Sequence, residues 1–256
     1  MPIFPAKPGE SARPATARRP SLALKQLVLW LGGMAGVAAG SALLMSGINV
    51  TGLVAVTLGY IAAAAFALIL FSRGFPHPTL GTGNVVTLGR TALIVSILTT
   101  LGGEAHPWAV VVIASVALAL DGFDGWYARR EARVSRFGET LDMEIDSAFT
   151  VILAAGAVMA GTIGPLVLLL VLPRYIFVIA ALWLRWLNGP LPETTTRKVI
   201  CVIQVIALIS LQVPGFWGVF TPAVVLAVGG VLLWSFGRDV VFLWRRHRDA
   251  SSRSHE

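Results

Sequence analysis

Residues 121–146 read DGFDGWYARREARVSRFGETLDMEID and hold seven of the chain's thirteen acidic residues: Asp121, Asp124, Glu131, Glu139, Asp142, Glu144 and Asp146. On a helix turning about 100° per residue, Asp121, Asp124, Gly125 and Ala128 fall within one stripe, with Arg129 at its edge. Gly138, Asp142 and Asp146 follow at i, i+4 and i+8, again on one face, while Glu144 points roughly the opposite way from Asp142. The connecting loop is short, so the spacing predicts two antiparallel neighbouring helices whose acidic faces can meet. Four aspartates from two helices, with no His or Cys among them, form a hard oxygen site. Such a site suits Mg²⁺ or Mn²⁺ and disfavours zinc. Two ions about 3.5–4 Å apart, bridged by the carboxylates, would clamp a diphosphate. Nearby arginines would add bidentate phosphate contacts. The small side chains beside the acids leave room for something bulky.

The elements that carry these acids are apolar enough to lie in a bilayer. A carboxylate at bilayer depth costs about 2.5–3.5 kcal/mol, so several together need a compensating cation and a purpose. Over the whole chain the hydrophobic fraction is 56% and the charged fraction 13%, with a mean hydropathy of +0.78. Soluble domains carry about 25% charged residues, so the composition is that of an integral membrane protein. Cys201 is the single cysteine, which excludes an intrachain disulfide, and the four histidines are scattered. The net charge of +7 does not point to nucleic acid, because Arg and Lys collect at the ends and loops of the apolar segments.

Apolar runs long enough to span a membrane lie at about 23–45, 50–71, 84–103, 107–129, 138–161, 163–187, 197–213 and 218–244. Residues 1–22 read as a disordered basic tail and 246–256 as a polar C-terminal tail. The Pro- and Gly-rich stretch 72–83 reads as a linker between a two-helix hairpin (23–71) and a six-helix body (84–245). With eight spans, Lys7, Arg13, Arg18, Arg19, Arg130, Arg133, Arg136, Arg185, Arg197, Lys198, Arg245, Arg246 and Arg248 all fall on one side. That side is expected to be cytoplasmic, with both termini and the acidic constellation facing it.

The full spacing D-x2-D-G-x2-A-R-x8-G-x3-D-x3-D, from Asp121 to Asp146, resembles the signature of the CDP-alcohol phosphotransferase (CDP-alcohol phosphatidyltransferase) family at all eight fixed positions. The resemblance covers the six-helix body. It implies an all-α, polytopic membrane enzyme with a six-helix core, here carrying two extra N-terminal transmembrane helices. It implies that Asp121, Asp124 and Asp142 ligate two Mg²⁺ or Mn²⁺ ions, and that Asp146 is general base on the acceptor hydroxyl, or ligand and base together. Gly125, Ala128 and Gly138 would leave room for the cytidine nucleotide, and Arg129 would meet its phosphates. The bland alternative is a set of solvated acids paired with Arg130, Arg133 and Arg136. That alternative needs no two-helix spacing and no small residues between the acids.

Weaker signals lie on other spans. Asn84, Thr87 and Arg90 in GNVVTLGRTALIV resemble the family's first core helix, with Gly83 where Pro is frequent. They are candidates for the nucleotide site, with a plain helix N-cap as the competing role for Asn84. Arg174 and Tyr175 lie mid-span, and Arg174 is either an acceptor-phosphate contact or a partner for an acid such as Glu144. Arg197 and Lys198 are acceptor contacts or positive-inside anchors, and Arg197 shares a face with Cys201 and Gln204. Arg133 joins this acceptor-side set. The Gly-Lys of members that use glycerol 3-phosphate is absent here. Asp239 reads as a local ion pair with Arg238.

The expected reaction moves a phosphatidyl group from CDP-diacylglycerol, or a similar CDP-linked lipid, to a small alcohol or lipid acceptor, with release of CMP. Two alternatives stay open: another CDP-alcohol as donor with diacylglycerol as acceptor, and an ion- or proton-coupled transporter. The acids crowd one side of the membrane midplane, which favours the enzyme. Assembly as a homodimer is also left open, as is the acceptor.

Overall fold

The computed structural model describes residues 22–103, 105–131, 135–161, 164–189 and 195–253; the side chains of 123–131, 136, 185, 188, 195 and 249–253 lie outside that description. The expected basic tail 1–22 therefore falls, up to its last residue, outside the described residues. Among those residues there are no strands. Eight α-helices follow one another: α1 (Leu22–Ser46), α2 (Val50–Ser72), α3 (Thr82–Ser96), α4 (Pro107–Glu131), α5 (Arg136–Met159), α6 (Leu172–Trp183), α7 (Thr195–Ser210) and α8 (Thr221–Arg253). Each expected apolar run overlaps one of them, and their ends differ by up to several residues. The chain is an all-α, polytopic integral membrane protein. Among the described residues, four segments are long and apolar enough to cross a membrane on length and composition, Leu22–Ser46, Val50–Ser72, Thr82–Gly102 and Gly218–Arg248, and the bent pair Gly164–Leu170 with Leu172–Trp183 would make a fifth.

Two spans depart from simple helices. α3 tightens into a 3₁₀ stretch, Ile97–Gly102, closed by Gly103 at φ 81°, a left-handed conformation that glycine adopts without penalty. The expected single span 163–187 is broken. A 3₁₀ helix, Gly164–Leu170, meets α6 at an angle of 55°. Pro173 sits in the first turn of α6, where its missing N–H is one that a helix start leaves unpaired anyway and its fixed φ suits a new helix, so it marks the point where the span restarts. α8 runs on to Arg253, so the residues after 245 continue a helix before the chain ends.

The hairpin α1–α2 is packed into the body. Leu27, Met45 and Ala67 are buried in the same core as Leu88, Ile94, Ala114, Leu153, Leu170, Leu208 and Val225. Ser46 Oγ lies 2.5 Å from Thr99 Oγ1, and the Leu80 N–H donates to Gln26 Oε1 at 2.9 Å. A Cβ on Gly52 would stand 2.8 Å from the Thr99 carbonyl, so only glycine allows α2 to approach that closely. The stretch 72–83 separates hairpin from body along the chain but not in space.

Two glutamines bond backbone carbonyls inside the apolar body, where no water is at hand. Gln204 Nε2 donates to the Leu170 carbonyl at 2.6 Å, tying α7 to the broken span. Gln212 Nε2 donates to Leu153 and Leu208 carbonyls at 2.7 and 3.0 Å. Both α4 and α5 pack on α3.

Candidate active site

Three helices build the site. α4 brings Asp121 near its C-terminal end. α5 starts at the Ser135 cap, whose Oγ accepts from the Gly138 N–H at 3.1 Å, and carries Asp142 and Asp146 one turn apart. One oxygen from each of Asp121, Asp142 and Asp146 gathers into a cluster in which all three atoms lie within 4.8 Å of one another. The converging carboxylates of the signature thus meet as their spacing predicts. Asp124, Gly125, Ala128 and Arg129 lie on the helical backbone of α4, but their side chains are outside the described residues, as is all of Arg133.

The third helix supplies a cation. Arg90, on α3, is 1% exposed. Its Nη1 lies 2.8 Å from Asp121 Oδ1 and 2.6 Å from Asp142 Oδ1, and its Nη2 donates to Asp146 Oδ1. The side chains of the three acids are 33%, 39% and 48% exposed. They form the open wall of the site, with Arg90 behind them. Arg90, expected at the nucleotide, is found on the carboxylates. The signal was present in the sequence: a buried mid-span arginine needs counter-charges, and the chain's largest supply lies at 121–146.

Asn84 and Thr87 lie N-terminal to Arg90 on α3. Asn84 is not the cap of that helix. The helix begins at Thr82, its cap is Gly81 at φ 80°, and the Asn84 amide donates back to the Leu80 carbonyl. Thr87 is buried and donates to the Gly83 carbonyl at 3.1 Å. Asn84 faces α5, where a Cβ on Gly138 would stand 2.7 Å from Asn84 Oδ1. The space at Gly138, expected for nucleotide, is taken by Asn84 in this structure. Beside it, Phe71, Phe75, His77 and Phe137 form an aromatic cluster in which 72–83 folds over the start of α5.

The residues expected at the acceptor lie on α6 and α7. Arg174 Nη2 reaches the Met143 carbonyl at 3.5 Å, one residue from Asp142, and does not pair with Glu144. Arg174 and Arg197 both act electrostatically on Cys201, so the two arginines share one region. Tyr175 is 38% exposed and Lys198 is exposed. Arg197 Nη2 lies 3.0 Å from Asp239 Oδ2, while Arg238 is 3.7 Å from the other oxygen. Asp239 therefore pairs with its neighbour Arg238 as expected and, more closely, cross-links α7 to α8 through Arg197. Adjacent residues on a helix point in different directions, which is why Arg238 is the weaker partner.

The donor set is consistent with a hard divalent cation: three carboxylates, clustered oxygens, no sulfur or imidazole. The model of the CDP-alcohol phosphatidyltransferase family matches residues 80–235, from the end of the linker through most of α8. No curated protein and no solved structure matches the chain.

Proposed function

The chain belongs to the CDP-alcohol phosphatidyltransferase family, and from that premise we propose that it transfers a phosphatidyl group from CDP-diacylglycerol to an alcohol acceptor, releasing CMP. Membership makes it a transferase of substituted phosphate groups held in a membrane. The observation that supports the finer reading is the convergence of Asp121, Asp142 and Asp146 at one open wall.

In this reading Asp121, Asp124, Asp142 and Asp146 hold two Mg²⁺ or Mn²⁺ ions, which when bound neutralise the diphosphate and stabilise the leaving CMP. Gly125 and Ala128 leave room for the cytidine, and Arg129 meets the phosphates. Asp146, the most exposed carboxylate of the described three, takes the proton of the acceptor hydroxyl. The acceptor oxygen then bonds to the phosphorus that carries diacylglycerol, and the bond from that phosphorus to CMP breaks. Catalysis is positioning plus electrostatic stabilisation. Arg174, with Tyr175, Arg197, Lys198 and Arg133, forms the acceptor side. The basic termini and loops argue for a cytoplasmic site.

The test is CMP release from CDP-diacylglycerol by washed membranes containing the protein. Release should stop with EDTA and return with Mg²⁺ or Mn²⁺. Glycerol 3-phosphate, inositol phosphate, serine, inositol and phosphatidylglycerol, added one at a time, identify the acceptor. CMP release that depends on diacylglycerol and a different CDP-alcohol would reverse donor and acceptor.

A further inference from the structure

We infer that Arg90 is the internal counter-cation of the carboxylate cluster: it holds Asp121, Asp142 and Asp146 together before a divalent cation enters, and it competes with that cation for the same oxygens. The inference rests on the metal-site reading above.

Three observations lead to it. First, Arg90 is 1% exposed in the middle of an apolar helix, where a guanidinium is tolerated only against counter-charge. Second, its fork reaches one oxygen on each of the three residues whose oxygens gather within 4.8 Å. Three like charges that close repel strongly in a medium of low polarity, so without a cation among them the cluster would open. Third, both α4 and α5 pack on α3. Arg90 is the side chain by which α3 joins the acid of α4 to the acids of α5. The carboxylates remain open on their outer side, and a cation arriving there finds them already converged.

Arg90 is thus a positioning residue. It stabilises the metal-free site and thereby weakens metal binding, because each oxygen it holds must be shared or surrendered when the metal is bound. Removing the guanidinium leaves the carboxylates uncompensated until metal arrives. A residue that merely packed α3 would lower stability equally with and without metal.

The experiment uses the purified full chain with Mn²⁺ as probe, binding read by electron paramagnetic resonance and melting temperature read in EDTA and in Mn²⁺. Arg90→Gln should bind Mn²⁺ about tenfold more tightly than the unaltered protein, the scale of one charge-assisted hydrogen bond. Its melting temperature should fall in EDTA and be restored by Mn²⁺, with a larger metal-induced rise than the unaltered protein shows. Arg90→Lys, which keeps the charge without the fork, should fall between the two. Mn²⁺ affinity unchanged or weakened in Arg90→Gln overturns the inference. So does a melting temperature lowered equally in both conditions. If Arg90→Gln cannot be recovered folded, the same affinity comparison on Arg90→Lys decides. Absence of Mn²⁺ binding by the unaltered protein sinks the metal-site reading itself, a separate result.

Discussion

Asn84 on α3 and Gly138 on α5 approach so closely that a Cβ on Gly138 would stand 2.7 Å from Asn84 Oδ1. The same Cβ would lie 3.4 Å from Ser135 Oγ, the cap of α5. A glycine at this position of the signature therefore lets α3 and α5 close over the first turn of the helix that carries Asp142 and Asp146. Asn84 cannot retreat freely, because its amide is engaged by the Leu80 carbonyl.

Gly138→Ala should consequently lower thermal stability, by about 1–3 kcal/mol for an overpacked contact, and reduce turnover. The loss should be coupled to Asn84. In the Asn84→Ala background the same change should cost less, with a coupling of about 0.5–3 kcal/mol. Melting temperatures of the two single variants and the double variant measure it. Strictly additive losses would mean that Gly138 is constrained by something other than Asn84.

Removal of divalent metal should abolish CMP release, and Mg²⁺ or Mn²⁺ should restore it where Zn²⁺ substitutes poorly. Asp121→Asn should weaken Mn²⁺ binding and turnover together. Asp146→Asn should remove turnover while leaving more donor binding, since the other carboxylates still hold metal and donor. The measurement is CMP release beside donor binding at equilibrium. Near-normal turnover by Asp146→Asn would end its role as base.

Much of this was legible in the sequence for a simple reason. A bilayer span must be long and apolar, and a carboxylate site inside one must show its acids at helical spacing. The eight segments and the convergence of Asp121, Asp142 and Asp146 follow from those two constraints. What was not legible depends on partners distant along the chain. Periodicity places Arg90 and the acids on their faces but does not say that α3 packs on both α4 and α5. Asp239 looks local beside Arg238, yet its nearer cation is Arg197 of α7. The apolar run 163–187 conceals a 55° break, for which Pro173 was the available sign.

The Arg197–Asp239 pair yields a test of that cross-link. Asp239 is mostly buried and Arg197 about one-third exposed, at 11% and 34% side-chain exposure. Asp239→Asn leaves two arginines without their acid and should lower the melting temperature by several degrees. Adding Arg197→Gln should recover part of the loss, because an unpaired charge costs more than an absent pair. Donor binding with metal should stay intact in Asp239→Asn. If donor affinity fell while stability held, the pair would belong to substrate recognition and not to helix packing.

The hairpin offers the last prediction. It bears no intramembrane acid, and the family match begins at residue 80, after it. It nevertheless shares the core and engages polar atoms on either side of α3, through Ser46 and Thr99, Gln26 and the Leu80 N–H, and the close approach of Gly52 to Thr99. Lipid can replace its apolar contacts at little cost, since acyl chains are as apolar as leucine, but lipid cannot replace its hydrogen bonds. A chain beginning at Thr79 keeps the parity of spans. It should insert, bind donor and retain metal-dependent CMP release, with a melting temperature lowered by several degrees. Gly52→Val in the full chain should reproduce part of that loss, because its side chain would collide with Thr99. CMP release and melting temperature of the two proteins check this together. A truncated protein that binds donor yet shows no turnover would place the hairpin within the active site.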